Sequence, residues 1–336
     1  MDLRYGSADE NVRKRSIRDI ILHESQRFEN HPGKKKNSHL PDETESFTGL
    51  GFAEEAALMC PSRAGELAVI GAINRLAAEG IRAKTFSPVI LLPPGTQEDL
   101  LRELMGQICR TAFADAVEIG EVHAEVTNAV TRPVIIGAAT GERFLKTDPF
   151  EAEAGEKEII VTGPVGLEGT YILVRERFKE LQERFPMSIL SRMMKAGTEM
   201  SVLKAAETAA RIPNLCDVPV MVSLGEGGFF AGLWELSKKT GCGLDADLQA
   251  VPILQETIEI TDFFGINPYA MRSNGSLLIA VSDADQVISC LEEEGRIAVK
   301  IGKLTGKKDK IIRNGEDVRF LDRPQTDSLV LSEYEK

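Results

Sequence analysis

Apolar positions recur along this chain at two spacings, and the alternation between them predicts mixed α/β structure. From Gly65 to Glu79 the apolar residues fall at Leu67, Ile70, Ile73, Leu76 and Ala77, a helical spacing that Gly80 ends. Thr85–Leu92 reads as a strand that stops at Pro93-Pro94-Gly95. Leu100, Leu101, Leu104, Met105 and Ile108 then mark the buried stripe of a second helix. Ahead of it, Thr96-Gln97-Glu98-Asp99 has the form of a capping box with Thr96 as the cap. Further strands are predicted near Val117–Ile119 and at Val134–Ala138.

Thr140–Glu158 breaks the pattern, with acidic residues, Gly141, Pro149, Gly155 and few apolar positions, so the domain boundary is placed there. The second half opens with a strand over Glu158–Thr162, a long helix from Tyr171 to Arg184, and helical spacing again over Pro186–Ala210. The stretch Val220–Val281 organises the rest. An apolar run meets Gly225-Glu226-Gly227-Gly228, and a helix follows with Phe229, Leu233, Trp234 and Leu236 apolar. The unpaired amides at such a helix start form a natural anion site. Ser273-Asn274-Gly275-Ser276 then turns into a second buried strand, Leu277–Val281, and Ile297–Ile301 and Val318–Leu321 read as closing strands.

Before Gly49 the chain is polar. Val12, Ile17, Ile20, Ile21 and Phe28 can line an amphipathic helix, and Glu29–Phe47 carries Pro32, Gly33, Pro41 and many charges, as a loop does. The expected organisation is therefore a polar segment 1–48, a first domain 49–145 and a second domain 156–325.

Composition narrows the function classes. A net charge of −12 over 336 residues argues against a nucleic-acid binder, and Lys34-Lys35-Lys36 reads as a solvated loop. Five scattered cysteines form no CxxC pair, so neither a zinc site nor a disulfide framework is expected. No apolar window is long enough for a membrane span, and the N-terminus does not read as a signal peptide, which predicts a soluble, cytoplasmic protein.

Several stretches taken in order resemble one family. Glu121-Val122-His123-Ala124-Glu125-Val126-Thr127 with the strand after it, Val161–Thr170, Glu226-Gly227-Gly228, Gly241–Leu244, Ser273–Leu277 and Ile301-Gly302 are similar to motifs of the AIR synthase-related proteins, nearest the HypE-like branch. The likeness runs from about Leu50 to Leu321. It implies an N-terminal α/β domain that forms a β-barrel across a homodimer, and a C-terminal domain with a mixed sheet flanked by helices. It also implies ATP with Mg2+ in a cleft between the domains, and phosphorylation of a small acceptor.

The resemblance also assigns residues. Glu54 and Glu55 stand where the family has paired aspartates for the metal, each carboxylate one methylene further out, and a following strand with its Asp is missing. Asn74-Arg75 stands where the family has Asn-Asp. Arg75 can pair with phosphate but cannot ligate magnesium. His123 and Glu125, on one face of a strand, are the catalytic pair or else a surface pair. Glu168, Thr170, Gly227 and Gly228 are placed against the nucleotide or phosphate, although the glycines also suit tight strand–helix packing. The family turn's Asp is absent ahead of Gly227. The HypE-like members end in a cysteine that carries the group being dehydrated, and this chain ends in Glu335-Lys336, so that reaction is not expected. Three readings remain: an ATP-dependent enzyme on an unknown small molecule, an inactive homodimeric binding or regulatory protein, or a binding protein for a phosphorylated metabolite without magnesium.

Overall fold

The computed structural model describes residues 6–7, 14–29, 50–57, 60–145, 157–197, 199–212, 218–324 and 326–330. It divides into two compact units, residues 1–76 with 81–143, and residues 77–80 with 144–336.

The first unit is built on a sheet of β1 (Gly6–Ser7), β2 (Leu50–Ala57), β3 (Ile81–Leu92), β4 (Glu118–Ile119), β5 (His123–Val126) and β6 (Val134–Arg143). The order is β1-β5-β3-β6-β2, with β4 beside β3. Strands β3 and β5 are parallel, which needs a crossover, and α3 (Glu98–Ala114) supplies it. Helix α2 (Ala64–Ala78) and α3 approach closely: a Cβ on Gly65 would lie 2.6 Å from the Leu104 carbonyl oxygen. Leu67, Ile70, Ile73 and Leu76 of α2 are buried, as are Leu101, Leu104, Met105 and Ile108 of α3, while Leu100 is only half-buried.

The predicted capping box does not form. The cap position of α3 is Gln97, and the Thr96 hydroxyl donates instead to the Pro93 carbonyl at 2.6 Å. Glu98 has another task. Its carboxylate accepts a fork from Arg15, at 2.6 and 2.7 Å, and a 2.5 Å bond from the Ser16 hydroxyl. Arg15 lies in the turn Lys14–Arg18 that leads into α1 (Asp19–Glu29), so the amphipathic N-terminal helix exists and is tied to α3. Of its expected apolar face, Ile17 is buried and Ile20 and Ile21 half-buried; Val12 and the Phe28 side chain lie outside the described residues.

The fork from Arg15 holds the Glu98 carboxyl down at about 2. Because that value is depressed, the tie stabilises the fold above the ordinary carboxylate range and is lost as pH falls towards 2. Arg15→Ala is expected to cost about 2 kcal/mol at neutral pH, the scale of charge-assisted hydrogen bonds. Thermal melts and amide exchange in α1 would register it.

The second unit has a seven-stranded sheet of β7 (Glu158–Thr162), β8 (Val220–Ser223), β9 (Gly243–Asp247), β10 (Leu277–Val281), β11 (Ala298–Thr305), β12 (Lys310–Asn314) and β13 (Asp317–Phe320), ordered β13-β12-β9-β11-β7-β10-β8. Only the β12–β9 pairing is parallel, so the sheet is mixed, as expected. Its middle strands are continuous apolar runs because helices cover both faces. Ile159, Val161, Val222 and Leu278 meet Phe229, Leu233 and Leu236 of α8 (Gly228–Thr240). Ile160, Met221 and Ile279 meet α7 (Leu203–Ala210) and α9 (Ala284–Glu293) on the other face.

Helix boundaries differ from those expected. The long helix predicted from Tyr171 starts earlier and is two helices, α4 (Leu167–Glu176) and α5 (Phe178–Arg184). Arg177 leaves helical geometry between them, at φ −114 and ψ 25. The next stretch also divides, into α6 (Met187–Ala196) and α7. Strands β9 and β12 were not anticipated; their charged residues, such as Asp245 and Arg313, break the apolar runs that mark the inner strands. Those two residues pair in a fork, with both bonds 2.7 Å.

Among the described residues no helix is long and apolar enough to cross a membrane. No cluster of His, Cys, Asp and Glu there is suited to a metal ion. Cys109 is buried, and burial pushes its thiol up to about 12, the state of an unreactive core cysteine. Cys290 is half-buried and Cys216 lies outside the described residues.

Candidate functional site

Strand register builds the candidate site in the second unit. β10 is antiparallel to β7 on one side and to β8 on the other, and Leu277, its first residue, pairs with both Thr162 and Ser223. The last residues of β7 and β8 therefore lie at the same end of the sheet. Each strand passes there through a glycine turn into a helix: β7 through Gly163–Gly166 into α4, and β8 through Leu224–Gly227 into α8. The segment Met271–Ser276, which feeds β10, runs between the two helix starts.

The glycines at these turns are required. Gly166 and Gly227, the cap residues, have φ of 80 and 72, a left-handed region that side chains rarely enter. Gly228 has φ 60, and a Cβ there would lie 2.2 Å from the Met271 carbonyl oxygen. Close approach of the α8 start to the 271–276 segment is therefore the structural work of Gly228.

Glu168 sits at the start of α4 with no solvent exposure. Its Oε1 accepts from Arg272 Nε at 3.0 Å, and its Oε2 accepts from the Asn274 backbone N–H at 3.1 Å and side-chain Nδ2 at 3.0 Å. The Gly166 N–H donates to Ser273 Oγ at 2.6 Å, and the Gly169 N–H to the Arg272 carbonyl at 2.9 Å. Thr170 is also buried: its hydroxyl donates to the Gly166 carbonyl at 2.8 Å and shares a 3.0 Å bond with Thr257 Oγ1. Two donors at the start of α4, the Gly166 and Gly169 N–H groups, are thus engaged by the chain itself.

The start of α8 is engaged by a residue the sequence reading passed over. Gly227 N–H donates to Asp327 Oδ2 at 2.8 Å, while Asp327 Oδ1 accepts from the Leu329 N–H at 3.0 Å. Asp327 is 1% exposed. Burial pushes its carboxyl up to about 6, against the opposing pull of the Gly227 and Leu329 amides and Arg272 and with a further push from Glu168. Thr326-Asp327-Ser328 carries a local cue, since Asp commonly caps a short turn. The reach back to Gly227, 100 residues away, has no local cue. On the other side of the turn, Ser223 Oγ is buried and makes no hydrogen bond among the described residues.

The first unit holds the other expected residues. His123 and Glu125 lie on β5 and meet, Nε2 to Oε2 at 3.3 Å, with side chains 44% and 39% exposed. Asn74 is fully buried in α2, and its neighbour Arg75 is exposed. Glu54 and Glu55 lie on β2, in register with Ala138 and Gly137 of β6, and their side chains lie outside the described residues. Glu168, Thr170, Gly227 and Gly228 are brought together around one segment. Asn74, Arg75, His123 and Glu125 belong to the other unit and are described only within it.

Residues 155–314 match the family model for the AIR synthase related protein, C-terminal domain. The second unit is an AIR synthase-related domain. The chain is 24% identical over 282 residues to carbamoyl dehydratase HypE of Rhodobacter capsulatus, a match covering 81% of this chain and 79% of that protein. Among solved structures it superposes on HypE in complex with ATP with a TM-score of 0.69 at 18% identity, covering 92% of this chain and 95% of the other. It superposes on the HypE–HypF complex with the same TM-score and identity, covering 83% and 92%. The likeness to the HypE-like branch of the AIR synthase-related proteins, first carried by scattered motifs, thus extends through both units as an AIR synthase-like fold.

Proposed function

We propose that this AIR synthase-related protein binds ATP or another phosphorylated ligand, and that its magnesium site differs from the family pattern. One observation carries the reading. The Gly227 N–H at the α8 start already holds an oxyanion, the Asp327 carboxylate, at 2.8 Å. A phosphate oxygen makes the same bond to such an amide, and the helix dipole favours its charge. The ATP complex of the similar HypE supports a nucleotide as that ligand. In this reading Glu54 and Glu55 supply the carboxylates for Mg2+, Asn74 and Arg75 meet phosphate, and His123 with Glu125 handles a proton, as a histidine next to a carboxylate can.

A second reading has its own support. Asp327 fills the α8 start, and Arg75 replaces a carboxylate with a cation. Both features suit a homodimeric binding or regulatory protein without ATP hydrolysis.

Calorimetric titration with ATP, with and without Mg2+, beside a phosphate-release assay, separates the two. The enzyme reading expects Mg2+-dependent binding that Glu54→Ala with Glu55→Ala abolishes, together with phosphate release. Binding without turnover selects the regulatory reading. Asp327→Ala is expected to tighten ATP binding by freeing the Gly227 N–H. Absence of any binding in both proteins would sink the proposal. The mass in solution tests the dimer.

A further inference from the structure

A second concavity lies on the second unit, beside the β12–β13 hairpin. It is a pocket of about 290 Å³ between α8, the hairpin and the chain leading to Asp327. Phe230 lines it, and behind that ring Tyr269 stacks with centroids 5.5 Å apart and planes 26° from parallel. Phe320, 68% exposed, stands at the mouth. Arg319 lies over the Phe230 ring, its guanidinium 5.7 Å from the centroid, and Arg323 lines the same space. Neither guanidinium has a carboxylate partner among the described residues.

The remaining polar groups are mostly donors. Asn267 Oδ1 is taken by the Tyr269 N–H at 3.0 Å, which leaves its Nδ2 donors for an occupant. The hydroxyls of Thr326 and Ser328 also line the space, and Asp322 is its one carboxylate. An apolar, aromatic lining with a surplus of cationic and neutral donors selects a flat apolar ring bearing an oxyanion. Guanidinium forks match carboxylate and phosphate geometry, and a cation over a ring favours a stacked π-system beside it. The volume is near the lower end for ligand pockets, roughly 300–1,000 Å³, so the ligand is small.

We propose that the pocket bounded by Phe230, Arg319, Phe320 and Arg323, which Gly227 also lines, is a binding site for a small aromatic carboxylate or phosphate, beside the amide proposed to meet ATP. An exposed Phe320 and two arginines without a carboxylate partner among the described residues are then a recognition surface.

Titration of the full chain with phenyl phosphate, benzoate, inorganic phosphate and benzyl alcohol tests it. Phenyl phosphate or benzoate is expected to bind more tightly than either single-feature probe. The better of the two identifies the anion. Arg319→Gln with Arg323→Gln is expected to weaken that binding roughly tenfold, the scale of one lost charge-assisted contact. Both positions are exposed, so the melting temperature should not move. Equal binding of benzyl alcohol, an unchanged affinity in the double variant, or no binding at all would overturn the site. Displacement of phenyl phosphate by ATP would mean that ATP itself fills this pocket, which would overturn a distinct small ligand. The two sites meet at Gly227, and binding of phenyl phosphate without binding of ATP would sink the ATP reading and keep this one.

Discussion

Glu168→Ala is expected to lower the stability of the second unit by about 3–5 kcal/mol, the cost of removing one partner from a buried ion pair. The carboxylate is fully buried and accepts three hydrogen bonds, from Arg272 and from the main chain and side chain of Asn274. Truncation takes the carboxylate away from the Arg272 guanidinium, whose side chain is 8% exposed, and from the two Asn274 donors. The turn that feeds β10 loses its anchor on α4 in the same step. Glu168→Gln keeps acceptor capacity but loses the charge, so it is expected to fall between the parent and Glu168→Ala. Urea unfolding at neutral pH measures all three. A loss below about 1 kcal/mol for Glu168→Ala would mean that the carboxylate does not hold the loop. Unchanged stability with weakened ATP binding would return Glu168 to the ligand-contact role that the family resemblance implies.

The second large effect concerns pH. The Asp327 carboxyl, raised to about 6 by burial, binds its proton more tightly in the folded chain than in the unfolded one, where its ordinary value is 3.8. Between those values the folded state carries more protons, so stability falls as pH rises. The contribution is fully present below the ordinary value and is lost as pH passes upward through about 6. The full difference corresponds to about 3 kcal/mol, of which roughly 1.3 kcal/mol falls between pH 7 and 5. Urea midpoints at those two pH values should therefore differ in the parent, and the difference should shrink in Asp327→Ala. An identical pH dependence in the two proteins would contradict it. The same titration bears on ligand binding, because a protonated Asp327 no longer sets a negative charge against the Gly227 N–H.

Much of the second sheet was legible from local pattern alone. The strands Glu158–Thr162 and Leu277–Val281 stand where their apolar runs put them, and the helix after Gly228 begins where the glycine turn ends. Strands β9 and β12 were not legible, because charged residues such as Asp245, Asp247 and Arg313 interrupt their apolar runs. The Thr96 capping box failed because the Thr96 hydroxyl bonds back to the Pro93 carbonyl and the helix cap falls one residue later, at Gln97.

Sequence by itself determined the element types, the glycines that open the two helices, and the family likeness, since each depends on periodicity or turn chemistry over a few neighbouring residues. Tertiary structure alone decided which group meets which helix start. Glu168 finds Arg272 across 104 residues and Gly227 finds Asp327 across 100. Those choices follow from strand register and burial: β10 brings the two turns to one end of the sheet, and a polar group buried there must pair with whatever donor or acceptor the fold delivers.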